Sequence, residues 1–287
     1  MKKQEYVDMG LQAWLTLTQI EGVLLQILHI SQKELFLLQD ISSKYIYEIQ
    51  KYIYEIASGK PQEYALWVAN FYGRDFFVDT RVLIPRNDTE ILVWAAVKYV
   101  LLHPELSTWV FVDVGTGSGC IALSVLQEIF PLKFSLSYAL DLSLDALEVC
   151  KKNAKNFPDI ELRVLQSNLL EALSLYPEIQ KKSLFMCANL PYIKDNDTLH
   201  MDASVVKHEP HSALFWWKNT GFELYEKLIK QCFQLKHIFS PPEIHIFVEI
   251  GFDQYEYSKK YLEDFWLWFE YFRDSASIYR VIHIHGF

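Results

Sequence analysis

The stretch VFVDVGTGSGCIAL, Val110 to Leu123, decides the fold. Its first residues are mostly β-branched or aromatic and read as a buried strand. Asp113 and Val114 close that strand. Gly115, Thr116, Gly117, Ser118 and Gly119 follow, and a helix is expected from near Cys120. Glycines spaced this way let the chain turn tightly and let a ligand approach the backbone. The helix start offers unpaired N–H groups to polar or anionic atoms. Strand, glycine loop and helix together open a βαβ unit.

The alternation continues downstream. Strand candidates are Trp109–Val114, Phe134–Leu140, Glu161–Leu165, Ser183–Ala188 and Ile244–Ile250, with helical segments between them. Trp266–Phe272 and Tyr279–His285 follow each other with no room for a crossover helix, so they should pair antiparallel at one side. The expected fold is α/β, a seven-stranded, mostly parallel, doubly wound sheet with an antiparallel end.

A dinucleotide fingerprint would need its third glycine at position 120, where Cys120 stands. The spacing instead resembles that of S-adenosylmethionine-binding domains. The second strand ends in YALDLS, which places Asp141, followed by Leu142, at its carboxyl edge. An acid there can accept hydrogen bonds from both ribose hydroxyls. Asp113, just before the loop, is expected to bind the amino group of the cofactor's methionine part.

The fourth strand stops at CANLPYIKDND, from Cys187. Its tip, Asn189-Leu190-Pro191-Tyr192, should lie in the crevice where open α/β sheets bind ligands. Those residue types suit methyl transfer to an amide or amino nitrogen. Such a lone pair is delocalised and weakly nucleophilic. The Asn189 side-chain oxygen and the Leu190 carbonyl can hold the two N–H groups, Pro191 can fix the turn, and the Tyr192 ring can stack on the flat group. No base is needed first, because a neutral nitrogen can attack and lose its proton afterwards. The reading from these residues leaves an amide and a nucleobase amine both open.

The N-terminal part reads as helices. Apolar residues from Leu11 to Leu28 recur at helical spacing, and Ser31 with Glu34 forms a capping-box pattern. A helix is expected from about Ser43 to Ala57, where YIYEI occurs twice and puts Ile46, Ile49, Ile53 and Ile56 on one face. Gly59 and Pro61 end it. From Glu63 to Leu83 the period becomes two, which predicts a β-hairpin turning at Gly73. Pro85 closes it, and Asp88 or Thr89 is expected to cap a helix from near Glu90. The predicted organisation is a helical bundle over 1–62, a hairpin linker over 63–84 and a catalytic domain over 85–287.

Composition narrows the class. Hydrophobic residues make up 51% of the 287 and charged residues 22%, enough for a sizeable core and against global disorder. A net charge of -9 disfavours general binding to phosphate backbones. Cys120, Cys150, Cys187 and Cys232 are scattered without a C-x-x-C pair, so neither a zinc site nor a disulfide framework is expected. A reducing, cytoplasmic setting fits. Glu5 and Asp8 argue against a secretory signal, and no apolar run reaches membrane-spanning length. His208 and His211, or His283 and His285, lack neighbouring carboxylates or cysteines at ligand spacing, so no metal is expected. Nothing marks a dimer seam, and a monomer is expected.

Taken together, GKPQEYALWVANFYGRDFFV, VLIPRNDTEILV, DVGTGSGCIAL, ALDLSLDALEVCKKNA, ANLPYI, HEPHSALF and VEIGFDQ resemble the bacterial release factor N5-glutamine methyltransferases, a branch of the class I S-adenosylmethionine-dependent methyltransferases. The resemblance covers nearly the whole chain. It implies methylation of the glutamine in the Gly-Gly-Gln motif of class-1 peptide chain release factors, with the bundle helping to bind that partner. It implies that Gly115 to Gly119 hold the cofactor and that Asp141 binds its ribose. Asn189 would touch cofactor and substrate, and Leu190, Pro191 and Tyr192 would complete the glutamine pocket. Asn168 and Leu169 stand where the family contacts adenine, in place of an acid and commonly Trp. Leu190 replaces the usual first proline of the tetrapeptide, and Asn87-Asp88 replaces Pro-Glu. The segment from Ile193 to about Trp217 is expected to be a mobile lid.

Three other readings share parts of this pattern. A nucleic-acid adenine or cytosine amino methyltransferase would use the same tetrapeptide on a flipped base, against which the acidic charge stands. A ribosomal-protein glutamine methyltransferase would differ only in docking. A catalytically silent module with this fold would have no need of Asp113, Asp141, Asn189 and Tyr192.

Overall fold

The computed structural model describes residues 2–192, 203–214 and 220–287. The chain divides into two compact units. The first runs to Val68 and includes the short helix Ala203–His208. The second holds the remainder.

The first unit is built from α1 (Lys3–Gln12), α2 (Leu17–Leu28), α3 (Gln32–Leu37), α4 (Ile46–Ala57) and α5 (Gln62–Leu66). The apolar run from Leu11 to Leu28 is broken, not continuous. Trp14 turns to a left-handed φ of 64°, and Thr16 starts α2 with a capping box to Gln19. The Ser31–Glu34 box is present: Ser31 N–H donates to Glu34 Oε2 at 2.7 Å, and Glu34 N–H donates back at 3.3 Å. Ile49, Ile53 and Ile56 of α4 are buried with Ile20, Val23 and Leu24 of α2, while Ile46 is partly covered. That stripe is what holds so short a set of helices together, at about 1.5–3 kcal/mol for each fully buried side chain.

Residues 62–66 correct the expectation of a strand. They form α5 and bury Tyr64, Ala65 and Leu66 in succession. A strand with one wet face cannot bury three consecutive side chains. Alternation begins only at β1 (Val68–Phe71), which leads to β2 (Arg74–Phe77). Tyr72 and Gly73 turn between them with φ of 50° and 71°, the positive pair that tight hairpins require. The hairpin is therefore shorter than predicted. Beyond it Asp79 accepts from Arg81 and ends the extended run.

In the second unit follow α6 (Glu90–Leu102), β3 (Val110–Val114), α7 (Cys120–Glu128), β4 (Leu136–Asp141), α8 (Leu144–Ala154), β5 (Arg163–Gln166) and β6 (Leu184–Ala188). After α9 (Ala203–His208) come α10 (His211–Leu214), α11 (Glu223–Phe239), β7 (Ile244–Glu249), α12 (Tyr255–Asp264), β8 (Trp268–Arg273) and β9 (Tyr279–His285). The seven-stranded sheet has the order β5-β4-β3-β6-β7-β9-β8. β3 runs parallel to both β4 and β6, β6 parallel to β7, and β9 antiparallel to β7 and β8. The antiparallel end follows from the short β8–β9 connection.

β3, β6 and β7 are buried along their whole length, so both sheet faces are covered. Alternate residues feed separate cores. Val110, Val112, Val114, Leu184 and Met186 pack with Leu228 and Cys232 of α11. Phe111, Phe185 and Phe247 pack with Leu92, Val93 and Ala96 of α6 and Leu123 of α7. The register sets Val114 beside both Leu140 and Ala188, which brings the loops after β3, β4 and β6 to one edge. The chain reverses its winding between β3 and β6, the switch point where such sheets hold ligands. Among the described residues no helix is long and apolar enough to cross a membrane.

Candidate active site

The loop after β3 carries three glycines with positive φ, of 74°, 54° and 82° at Gly115, Gly117 and Gly119. Two of them also lack room for a side chain. A Cβ on Gly115 would meet Leu190 Cδ2 at 2.9 Å, and one on Gly119 would meet Cys150 Sγ at 2.8 Å. The loop is thus fixed by sterics as well as by turn geometry.

Around it lies a cavity of about 220 Å³. Gly115, Thr116, Gly117, Ser118, Asp141, Leu142, Asn168, Leu169, Asn189, Leu190 and Pro191 line it, and all were named from the sequence. Asp141 closes β4 and receives Gly117 N–H on Oδ2 and Ser143 N–H on Oδ1, each at 2.9 Å. Each carboxylate oxygen has a second lone pair left for a ligand. Burial pushes this carboxyl up, and the backbone N–H groups oppose the shift. Asn168 gives its amide N–H to Glu171 at 2.9 Å, and Leu169 takes a left-handed φ of 56°.

Three expected residues do not line the cavity. Gly119 sits behind the loop as the N-cap of α7. Asp113 is 0% exposed, beneath the loop. Its Oδ2 accepts from the Thr116 hydroxyl at 2.6 Å and from Ala122 N–H at 3.3 Å, so it organises the loop from below. Direct contact with a ligand's ammonium, as the sequence suggested, is not what the geometry gives. Its Oδ1 is buried with no hydrogen-bond partner among the described residues, and desolvation pushes the carboxyl up to about 7. Tyr192 is the third. Its hydroxyl donates inward to Glu249 Oε1 at 3.1 Å, and its ring edge lies 3.2 Å from where a Cβ on Gly251 would be. It holds the turn from behind, where the sequence suggested a stacking platform.

The tetrapeptide itself is held by residues that sequence reasoning missed. Leu190 N–H donates to the Tyr225 hydroxyl at 3.0 Å, and that hydroxyl donates to the Glu249 carbonyl. Asn189 Nδ2 donates to Thr89 Oγ1 at 3.1 Å. The cap expected of Asp88 or Thr89 is absent, because neither side chain caps α6. Asp88 pairs with Arg280 at 3.3 Å, and Thr89 faces Asn189. Arg86 reaches Glu209 at 2.5 Å, and Glu209 also accepts from Ile84 N–H at 3.3 Å. These hydrogen-bonded partners are 24 to 125 positions apart in sequence, and only the capping pattern near Thr89 gave any local signal. Of the expected lid, 193–202 and 215–217 lie outside the described residues, and 203–214 hold α9 and α10.

His208 and His211 fall on different short helices, while His283 and His285 join His245 in the sheet. Among the described residues no group of three or more His, Cys, Asp or Glu is placed to hold a metal ion.

No protein-family model matches the chain. The release factor glutamine methyltransferase of Koribacter versatilis is 32% identical over 225 residues, 78% of this chain and 74% of that protein. That breadth decides the family. The chain belongs to the release factor glutamine methyltransferases. The bifunctional methyltransferase of Rickettsia typhi is also 32% identical, over 76% of this chain but 43% of its own length. The chain therefore spans less than half of that longer relative. The crystal structure of the N-terminal domain of human METTL16 in complex with SAH has the same fold, with a TM-score of 0.50, 16% identity, and coverage of 86% of this chain and 98% of that one. For a release factor glutamine methyltransferase, the Asn-Leu-Pro-Tyr tip gains a specific reading. Leu190 is buried against Gly115, so at this position the side chain braces the glycine loop.

Proposed function

We propose that this chain transfers a methyl group from S-adenosylmethionine to the side-chain amide nitrogen of the glutamine in the Gly-Gly-Gln motif of class-1 peptide chain release factors, and so supports translation termination. The observation that carries this is the junction of Asn189 with the glycine-loop cavity at the switch point, in a chain of this family.

The residues fit the methyl donor. Asp141 offers free lone pairs to a ribose diol, and Leu142 and Leu169 border a space for a flat base. When bound, the donor supplies an electrophilic methyl group on a sulfonium. The chain's own work is orientation. Asn189 gives its N–H to Thr89, so its Oδ1 is free to accept one N–H of the substrate amide. A second acceptor from the Leu190 backbone would complete the hold and aim the nitrogen lone pair at the methyl group. No described residue needs to take a proton before transfer. Tyr192 serves by fixing the turn through Glu249. We place the partner-docking role on the helical bundle, with the protein acting as a soluble monomer in the cytoplasm.

The deciding experiment is mass spectrometry of a release factor incubated with this protein and the methyl donor. One added methyl group on the Gly-Gly-Gln glutamine is expected. Asn189→Ala should abolish it while circular dichroism stays that of the wild type. An unmodified glutamine, or full turnover in the variant, would refute the assignment.

A further inference from the structure

The wall of the active-site cavity carries a cation that methyl transfer itself does not use. Arg86 shares that cavity with Thr89, Asn189 and Pro191. Its carbonyl accepts Thr89 N–H at 3.0 Å, so it lies one turn before the residue that holds Asn189. Its guanidinium is anchored on one side only. Nη2 donates to Glu209 Oε1 at 2.5 Å, and among the described residues the guanidinium makes no other hydrogen bond. The Glu209 side chain is 0% exposed and also accepts from Ile84 N–H at 3.3 Å, whereas the Arg86 side chain is 40% exposed.

A carboxylate this deeply buried needs its cation, so Arg86 is tied to Glu209. A guanidinium carries several N–H donors in one planar fork. One serves Glu209, and the pair restricts the direction of the rest before any ligand arrives. Arg81, the other cation lining the cavity among the described residues, is closed onto Asp79 through Nε and Nη2.

A guanidinium can only donate, so its ligand must present acceptor oxygens. The two glycines ahead of the glutamine in a Gly-Gly-Gln segment have no side chains, and their only acceptors are backbone carbonyls. Two extended residues span about 7 Å. A group that reads those carbonyls must therefore share a cavity with the residue that holds the glutamine amide, as Arg86 does. The methyl donor's carboxylate is the other acceptor that fits such a cation, and the place of Arg86 beside Thr89 and Asn189 favours the peptide.

We propose that Arg86 is a substrate-binding residue that donates to the backbone carbonyls of the glycine pair, and that Glu209 is the positioning residue that aims it. This rests on the release-factor reading above.

The test is calorimetry of the full chain, loaded with S-adenosylhomocysteine, against an unmethylated class-1 release factor, with steady-state kinetics beside it. Arg86→Ala is expected to raise the Kd for the release factor about tenfold to a hundredfold, as befits a lost hydrogen bond to a charged group. KM should rise with it. At saturating release factor kcat should stay within about threefold, because a contact made equally before and during transfer changes binding alone. The Kd for S-adenosylmethionine should stay within about twofold. Arg86→Lys keeps the charge without the fork and should recover only part of the affinity. Glu209→Gln should raise the same Kd severalfold without touching the ligand.

Arg86→Ala leaves Glu209 buried without its cation, which destabilises the fold. Arg86→Ala combined with Glu209→Gln removes both charges. It should melt closer to the wild type and still bind the release factor as weakly as Arg86→Ala. A release-factor Kd unchanged in both variants overturns the proposal. A loss confined to S-adenosylmethionine affinity also overturns it, and gives the guanidinium to the donor's carboxylate. A wild type that leaves the glutamine unmodified removes the function assignment and this proposal together. One that methylates it while the Arg86 variants bind equally well removes this proposal alone.

Discussion

Asp141 shows how one side chain can hold a loop and still face a cavity. Gly117 N–H and Ser143 N–H hold its oxygens, so the acid that faces the cavity also fixes the glycine turn. Asp141→Ala is expected to weaken binding of S-adenosylmethionine by about tenfold to a hundredfold, for a charge-assisted contact of about 1.5–3 kcal/mol. Calorimetry with wild type and variant checks this, and equal affinities would remove Asp141 from the site. Its place at a strand end after a glycine loop was legible in the sequence. Asp113 was legible as important, but its position beneath the loop was not. The pattern D-x-G does not say whether a carboxyl turns toward ligand or toward Thr116 and Ala122.

Among elements, β7 and β9 carry a feature outside the site. His245 Nδ1 and His283 Nε2 are 2.9 Å apart, and the His285 ring centroid stacks 5.1 Å from each. Burial and the neighbouring His245, His285 and His103 lower His283 to about 3, while Glu243 and Glu270 act on the outer rings in the opposite sense. Between the ordinary histidine value and about 3, the unfolded chain binds a proton that the folded one refuses. Acid should therefore destabilise the fold from about pH 6.5 downward. Melting curves of wild type and His283→Phe at pH 7 and pH 5 test this. The wild type should lose more melting temperature between the two, and parallel losses would rule the cluster out as the cause. The sequence showed the strands through their alternation. It missed α5, because Tyr64, Ala65 and Leu66 are buried in succession, which follows no period.

For the whole molecule, the docking role proposed for the first unit can be tested. On α4, Tyr47 and Tyr54 stand seven positions apart and are 79% and 73% exposed, on the side away from the buried isoleucines. If the bundle docks the release factor, Tyr47→Ser with Tyr54→Ser should raise KM for that partner severalfold and leave donor affinity unchanged. Surface aromatics are common contributors to such contacts. Steady-state kinetics would show it, and an unaltered KM would place docking on another surface.

The sequence by itself determined the strand and helix alternation, the glycine loop, the acid at the end of the second strand of the sheet and the Asn-Leu-Pro-Tyr tip. Each is a local pattern, set by side-chain periodicity and backbone freedom within a few residues. Tertiary structure alone decided which way those side chains act. It brought Thr89 to Asn189, Tyr225 to Leu190 and Glu249 to Tyr192 across gaps of 100, 35 and 57 positions. Hydrogen-bond direction in a buried site depends on what lies across the sheet edge, and no window of neighbouring residues contains that information.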